Sequence, residues 1–209
     1  MRRHAFKTAA RLAAPLIAPL LLASAALPAL AQIPSENIRG KVTSLVGDKL
    51  TVATREGKTA IVTLDKMWGV AVMRPVDMSA IKAGSFIGTT EIEKPGGGGQ
   101  SLEVHVFPPG VKIGEGHYPW DLKPGSNMTN GTVHAVTAAG KGRELDVEYP
   151  TGVRHITVPA TVPVVMIGAG DRSLIKPGVA LFIHPTKAPD GGWIADRILI
   201  GEKGEAPPM

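Results

Sequence analysis

The sequence contains no cysteine. A chain without thiols cannot form disulfides, thiolate metal sites or a cysteine nucleophile, and it cannot be anchored through a lipidated cysteine. Its folded state must therefore be stabilised by packing and hydrogen bonding. Aromatic residues are also scarce, at 4% of the chain, whereas surfaces that bind single-stranded nucleic acid normally present several aromatic side chains along one face.

Long apolar runs are lacking except at the beginning of the chain. Residues 12–27 follow a basic stub, and Ala29-Leu30-Ala31 precedes Gln32. A charged segment, an apolar segment and a small-x-small site predict a secretory signal peptide over 1–31, cleaved after Ala31. The alternative is a membrane anchor, but prolines interrupt this region and the run is shorter than the roughly 20 residues of a bilayer span. We therefore expect a periplasmic protein that is soluble after export.

An excess of charge of one sign is missing once the leader is set aside. The whole chain has 23 basic and 18 acidic residues; the leader holds four basic and no acidic ones, which leaves 19 against 18. A nearly neutral chain lacks the concentrated basic face of a nucleic-acid-binding protein. No later window is apolar enough to cross a membrane. We therefore expect no nucleic-acid partner and no transmembrane segment in the mature chain, while the oligomeric state stays open.

What the sequence does contain is a repeated pattern of short strands. Runs rich in Val, Thr, Ile and Leu, separated by Gly, Asp and Pro, are typical of strands joined by tight turns. In the first block they predict strands over 39–45, 50–55, 59–64, 85–92 and 101–107. The block at 32–107 recurs at 129–201, where Gly131-Thr132-Val133 matches Gly40-Lys41-Val42 and Ile175-Lys176-Pro177-Gly178 matches Ile81-Lys82-Ala83-Gly84. A fixed spacing of this kind indicates a duplicated structural unit.

Each Ile-Lys-x-Gly element predicts a capped turn. Asp77 or Ser79 in the first copy and Asp171 in the second can cap a single helical turn, and Gly84 or Gly178 can then adopt positive φ. Three strands, a helical turn and two more strands predict an all-β fold of two tandem five- to six-stranded small barrels, OB-like or SH3-like. The alternative is an open sandwich of the same strands. Residues 202–209 are predicted to be a flexible tail.

The connector at 108–128 holds the densest group of chemically capable side chains. Glu115, His117, Tyr118, Trp120 and Asp121 fall within seven residues of one another. We predict that Tyr118 and Trp120 form a structural clasp, an apolar plug that seals the seam between the barrels. The alternative is that they form a stacking platform for a sugar or a base.

The same region suggests a metal site. Glu103 and His105 alternate onto the outer face of a half-buried strand, and Glu115, His117 and Asp121 follow in the connector. If the connector folds back over that strand, imidazoles and carboxylates converge into a ligand set suited to copper, zinc or nickel. The alternative is that these are ordinary histidines without a ligand. No other cofactor is expected.

Patterns that identify common enzyme classes are missing. The sequence has no Gly-x-Ser-x-Gly elbow, no His-Glu-x-x-His pair and no dinucleotide fingerprint. The Gly/Pro-rich connector offers no evident means of perturbing the pKa of Glu115 or Asp121. We therefore predict a periplasmic binding or adaptor module without catalytic activity, with a periplasmic or envelope protein as a candidate partner. The alternatives are a transition-metal-binding protein that serves metal transport or homeostasis, and a hydrolase of unknown class.

Several stretches of the sequence together resemble a known family. They are the leader, the two Ile-Lys-x-Gly turns and the segments at 102–108, 114–122 and 206–209. Together they resemble a family of uncharacterised exported proteobacterial proteins with a domain of unknown function. The likeness covers nearly the whole mature chain and transfers no catalytic or binding residue. Some members are labelled metal ABC transporter permease, which does not fit a chain without apolar spans after residue 31, although a periplasmic partner of metal transport would be compatible with it.

Overall fold

Strands dominate the part of the chain that the computed structural model describes, residues 37–209. The all-β prediction is confirmed, and within these residues no helix is long and apolar enough to cross a membrane. The signal peptide predicted over 1–31 lies outside the described residues. The strands are β1 (Ile38–Val46), β2 (Lys49–Thr54), β3 (Thr59–Pro75), β4 (Phe86–Glu93), β5 (Gly99–Val106), β6 (Gly116–Pro119), β7 (Ser126–Ala139), β8 (Gly142–Tyr149), β9 (Gly152–Val158), β10 (Val164–Gly170), β11 (Ala180–Ile183), β12 (Thr186–Lys187) and β13 (Trp193–Gly201). Single 3₁₀ turns occupy Met78–Ala80, Arg172–Leu174 and Glu202–Gly204.

The two Ile-Lys-x-Gly elements fold as predicted. The carboxylates of Asp77 and Asp171 each accept a hydrogen bond from the backbone N–H two residues ahead, at 2.8 and 2.7 Å, and so cap a 3₁₀ turn. The isoleucine that follows each turn is buried. Gly84 and Gly178 take φ of +84° and +90°, a conformation that glycine adopts without steric cost. Each element therefore turns the chain sharply into the next strand.

The strands form one mixed sheet, so the prediction of two tandem barrels is not confirmed. All 13 strands belong to this sheet, in the order β12-β13-β11-β1-β2-β3-β10-β5-β4-β7-β8-β9, with β6 paired to β7. Two further pairings, β13 with β3 and β5 with β9, are parallel. With them the pairings close into two rings of five strands. Ring A contains β1, β2, β3, β13 and β11, and ring B contains β7, β8, β9, β5 and β4.

Each ring combines strands from both repeats. Ring A takes its first three strands from the first repeat and its last two from the second, and ring B takes the reverse. The first repeat passes between the rings along β3, which has 17 residues. Its first half pairs with β2, and its second half pairs with β10. At about 3.3 Å per residue such a strand is roughly 55 Å long, so it carries the chain out of ring A before β4 begins.

The junction between the rings is symmetrical. The antiparallel pairing of β3 with β10 joins Val70 to Gly170 and Pro75 to Val165. At the spacing of 94 residues that relates Asp77 to Asp171, Met73 is equivalent to Ile167, and these two residues are paired with each other. The two repeats therefore meet through the same surface, as in a two-fold dimer whose halves are covalently joined.

Each ring has its own apolar core, and a third cluster lies apart from both. The side chains of Leu50 and Ile198 belong to the first core, and those of Ile87 and Leu145 to the second. The third cluster contains Met73, Val165, Phe182 and Met209, with Trp120 packed against it. Met209 is 5% exposed although it ends the segment predicted to be a flexible tail. Its main-chain oxygen accepts a hydrogen bond from Arg39 Nε at 2.8 Å.

Candidate functional site

A pocket of about 590 Å³ adjoins the third cluster. Its wall includes Phe107, Trp120, Ile167, Phe182 and Leu199. Phe107 directly precedes the connector and Trp120 lies within it, while the other three belong to β10, β11 and β13 in that order. Apolar walls with a few polar groups are typical of small-molecule sites. The sequence does not predict this pocket, because its wall is assembled from strands of both repeats that are far apart along the chain.

The predicted clasp residues form part of this wall and contact both rings. The ring centroid of Trp120 lies 6.0 Å from those of Phe182 and His184 and 6.1 Å from that of Tyr118. Phe182 belongs to ring A, whereas β6, which contains Tyr118, pairs with β7 of ring B. Trp120 thus contacts an aromatic ring of ring A and one on a strand paired with ring B, while its role as a clasp stays a prediction. The indole Nε1 of Trp120 is buried and has no hydrogen-bond partner among the described residues.

Asp121 ties the connector to ring A. Its two carboxylate oxygens accept hydrogen bonds from the guanidinium group of Arg39, at 2.7 Å each, and Oδ1 also accepts from Asn37 Nδ2 at 2.8 Å. A bidentate arginine–carboxylate pair is directional as well as strong. The same guanidinium lies over the ring of Phe182, with its carbon 5.0 Å from the ring centroid. Asp121 thus has a structural partner in the position for which the sequence suggested a metal.

Glu103 and His105 form a buried pair at the pocket. The sequence places them on an exposed face of a half-buried strand, but they are 0% and 2% exposed, and Val104 between them is also 0% exposed, so both faces of β5 are covered. Glu103 Oε1 accepts hydrogen bonds from the N–H and the hydroxyl of Thr90, at 2.7 and 2.8 Å, and Oε2 lies 3.0 Å from His105 Nδ1. His105 also lines the pocket.

Asn130 is a buried polar residue for which the sequence predicts no role. It is 6% exposed, and its Nδ2 donates hydrogen bonds to the main-chain oxygen of Gly114 at 3.0 Å and to Tyr118 Oη at 2.9 Å. The carbonyl acceptor fixes the orientation of the amide. Oδ1 is then a buried oxygen without a partner among residues 37–209. A Cβ added to Gly88 would lie 2.2 Å from this oxygen and 2.0 Å from His105 Nε2, so both atoms lie over Gly88.

The repeat contains a signal that points to Asn130. Asn130 precedes Gly131, and Arg39 precedes Gly40 at the equivalent position of the first copy. Both side chains are buried and polar, and both hold the connector: Arg39 through Asp121 and Asn130 through Gly114. A buried polar residue at the same place in β1 and β7 thus marks where the connector attaches.

His117 belongs to a different polar cluster. Its Nδ1 lies 2.8 Å from Thr129 Oγ1 and 3.6 Å from Glu91 Oε1. Glu91 is fully buried and accepts a hydrogen bond from Arg154 Nε at 2.7 Å, while Arg154 also pairs with Glu93. Burial raises the pKa of Glu91 although Arg154 opposes the shift. Burial, together with the positive charge of Arg154, lowers the pKa of His117.

The five residues proposed as metal ligands do not converge. Glu115 is partly exposed and lies 3.9 Å from Lys112 Nζ, and the other four have the partners given above. In the part of the chain that the structure describes, no group of three or more His, Cys, Asp or Glu side chains is placed to hold a metal ion. The physical reason is that β6 pairs with β7, which places His117 against Thr129 and Glu91, while His105 on β5 lies against Glu103.

No match for this chain is found among protein-family models, curated proteins or solved structures. The family resemblance drawn from the sequence therefore stays a prediction.

Proposed function

We propose that this chain is an exported, periplasmic binding module that holds a small, largely apolar molecule in the pocket described above and has no catalytic activity of its own. In this proposal ring A and ring B are OB-like barrels that exchange their last two strands. Five strands closing on one another, with the third and fifth parallel, support the barrel interpretation. The leader pattern and the nearly neutral mature chain support export.

Asn130 Oδ1 is the observation that carries the proposal. A buried polar atom without a hydrogen bond costs about 1 to 3 kcal/mol, and native proteins keep few of them. This oxygen lies with His105 Nε2 over Gly88, and both side chains line a pocket whose wall is otherwise mainly apolar. An apolar pocket with a few polar groups, held on rigid strands, is the arrangement that small-molecule sites use. By contrast, a depression of about 640 Å³ beside Lys82 and Lys112 has no buried polar side chain in its wall.

The proposal does not include acyl transfer by a nucleophilic hydroxyl. Glu103 and His105 resemble the acid–base half of a nucleophilic site, but among residues 37–209 no hydroxyl is hydrogen-bonded to His105 Nε2. Acyl transfer needs a nucleophile in that position. The pocket also favours a small molecule over an envelope protein as the ligand, because a partner protein would need an extended exposed surface.

The test measures binding of prodan, a neutral apolar dye without a hydrogen-bond donor whose emission shifts in apolar surroundings. We expect saturable binding at one site, with a dissociation constant below about 1 mM for a ligand of this size. Ala169→Trp introduces an indole from an exposed position on the pocket wall. We expect it to weaken binding about tenfold or more, since it occupies volume that the dye needs.

The matched control is Val153→Trp. Val153 is 59% exposed on β9 and does not line the pocket, so this variant adds the same side chain elsewhere and should bind prodan like the unmodified protein. Absence of saturable binding, or equal binding by the Ala169→Trp variant, contradicts the proposal.

A further inference from the structure

Hydrogen bonding inside the Glu103–His105 pair decides which ring nitrogen is available to a ligand. Glu103 Oε1 is occupied by two donors from Thr90, and Oε2 faces His105 Nδ1 at 3.0 Å. The carboxylate can only accept, so Nδ1 carries the proton that is donated to it. A neutral imidazole then presents its lone pair at Nε2. Because the pair is buried and anchored by the backbone of β4, this acceptor has a fixed position.

Asn130 supplies a second acceptor at the same place. Its amide is oriented by the main-chain oxygen of Gly114, which leaves Oδ1 over Gly88 together with His105 Nε2. Within residues 37–209 the structure shows no N–H or O–H donating to either atom. Both atoms therefore lie over Gly88, their side chains line the same apolar pocket, and no donor among the described residues satisfies either atom. A ligand that can only accept hydrogen bonds would leave both unpaired.

We infer that the ligand carries a hydrogen-bond donor, an O–H or N–H group on an otherwise apolar body, and that His105 Nε2 accepts from it, with Asn130 Oδ1 as a second acceptor for a group that has two hydrogens. This inference rests on the proposed binding function and names the chemistry of the ligand. The donor group makes the bond that the protein leaves open, and the apolar body contacts the wall formed by Phe107, Trp120 and Phe182. An ether or ester of the same shape fills the pocket and removes water from these acceptors, but it supplies no donor to replace the lost hydrogen bonds.

The test compares 2-naphthol with 2-methoxynaphthalene, which share the ring system and differ in the hydroxyl. Equilibrium dialysis at neutral pH, with the probes quantified by absorbance, measures both by one method. We expect 2-naphthol to bind about tenfold more tightly, the difference associated with one satisfied buried acceptor. Equal affinities, or tighter binding of the ether, overturn the inference while leaving the pocket intact as a binding site. Absence of prodan binding contradicts the proposed function, whereas equal affinities of the two naphthalene probes beside retained prodan binding contradict this inference alone.

His105→Asn assigns the preference to one atom. An asparagine amide can still donate to Glu103 from near the Nδ1 position, while Nε2 is removed. We expect the preference for 2-naphthol to fall to about twofold, with prodan binding retained as evidence that the pocket is intact. The control is His134→Asn, since His134 is exposed and does not line the pocket; its preference should stay near tenfold. A full preference in the His105→Asn variant overturns the role of His105, and if that variant does not fold, the probe comparison on the unmodified protein decides the inference.

Discussion

At the scale of single residues, the partner of a side chain decides its chemistry. Asp121 and Glu103 are both acidic residues that the sequence offers as metal ligands. Asp121 instead holds Arg39, and Glu103 is satisfied by Thr90 and His105. Each carboxylate is used to position another group, which leaves His105 with one free nitrogen at the pocket. The identity of a residue therefore limits its role, but only its neighbours select one.

His117 leads to a pH prediction at this scale. Its pKa is lowered from the ordinary value of 6.5 by burial and by Arg154, so protonation favours the unfolded state. The contribution of His117 to stability is present above that ordinary value and is lost as the pH falls below it toward the folded pKa. Glu91, whose pKa is raised, acts in the opposite direction: its contribution is lost as the pH rises through the folded pKa.

We therefore expect His117→Gln to lose less stability than the unmodified protein when the pH is lowered below 6.5. Urea unfolding at a series of pH values measures this, and the comparison of the two proteins separates His117 from Glu91. His134→Gln is the control, because His134 is exposed and its variant should follow the unmodified protein. Parallel pH profiles for the His117→Gln variant and the unmodified protein would contradict the assignment.

At the scale of elements, the connector is the part that joins the two rings. It pairs with β7 through β6, stacks Trp120 on Phe182 of β11 and binds Arg39 of β1 through Asp121. A segment that contacts both rings restrains their relative position. It also forms one wall of the pocket, so the geometry of the site depends on it.

Trp120→Ala should lower the free energy of unfolding by about 3 kcal/mol, at the lower end of the range for large aromatic side chains because Trp120 is only partly buried. Trp120→Phe keeps an aromatic ring against Phe182 and removes an Nε1 that has no partner among the described residues. We expect it to cost less than about 1.5 kcal/mol. Chemical denaturation measures both variants. Equal stabilities of the Trp120→Ala variant and the unmodified protein would show that Trp120 is not a clasp.

At the scale of the whole molecule, neither repeat completes a ring by itself. A fragment of residues 32–107 contains β1, β2 and β3 without β11 and β13, so it lacks the last two strands of ring A. The unpaired edges of β1 and β3 would be exposed, together with apolar side chains of the first core. The two repeats should therefore depend on each other for folding.

The corresponding experiment separates the chain into fragments 32–107 and 108–209. We expect each fragment alone to show no cooperative thermal transition by circular dichroism, and an equimolar mixture to recover strand content and a transition. Cooperative unfolding of the 32–107 fragment by itself would contradict the exchanged rings and would favour two independent barrels.

The sequence by itself determined the all-β class, the repeat and the two capped turns, because these depend on local chemistry. Asp77 and Gly84 each act within a few residues of their own position. All five strands predicted in the first repeat have counterparts in the structure, although β3 continues past the predicted end at residue 64 to Pro75. The residues directly after 64 are charged and irregular and lack period-two alternation, so the sequence pattern does not predict that the strand continues.

Only the tertiary structure decided which strands meet and what the pocket contains. Alternation along a strand shows which face is buried but not which strand pairs with its edge. Because the two repeats are similar, β4 could pair with β1 of its own repeat or with the equivalent strand β7 of the other. β3 carries the first repeat from ring A to ring B, and the exchange brings His105 of β5 and Asn130 of β7 together over Gly88 of β4. The site consists of side chains whose partners lie on separate strands, and it is therefore a property of the assembled sheet.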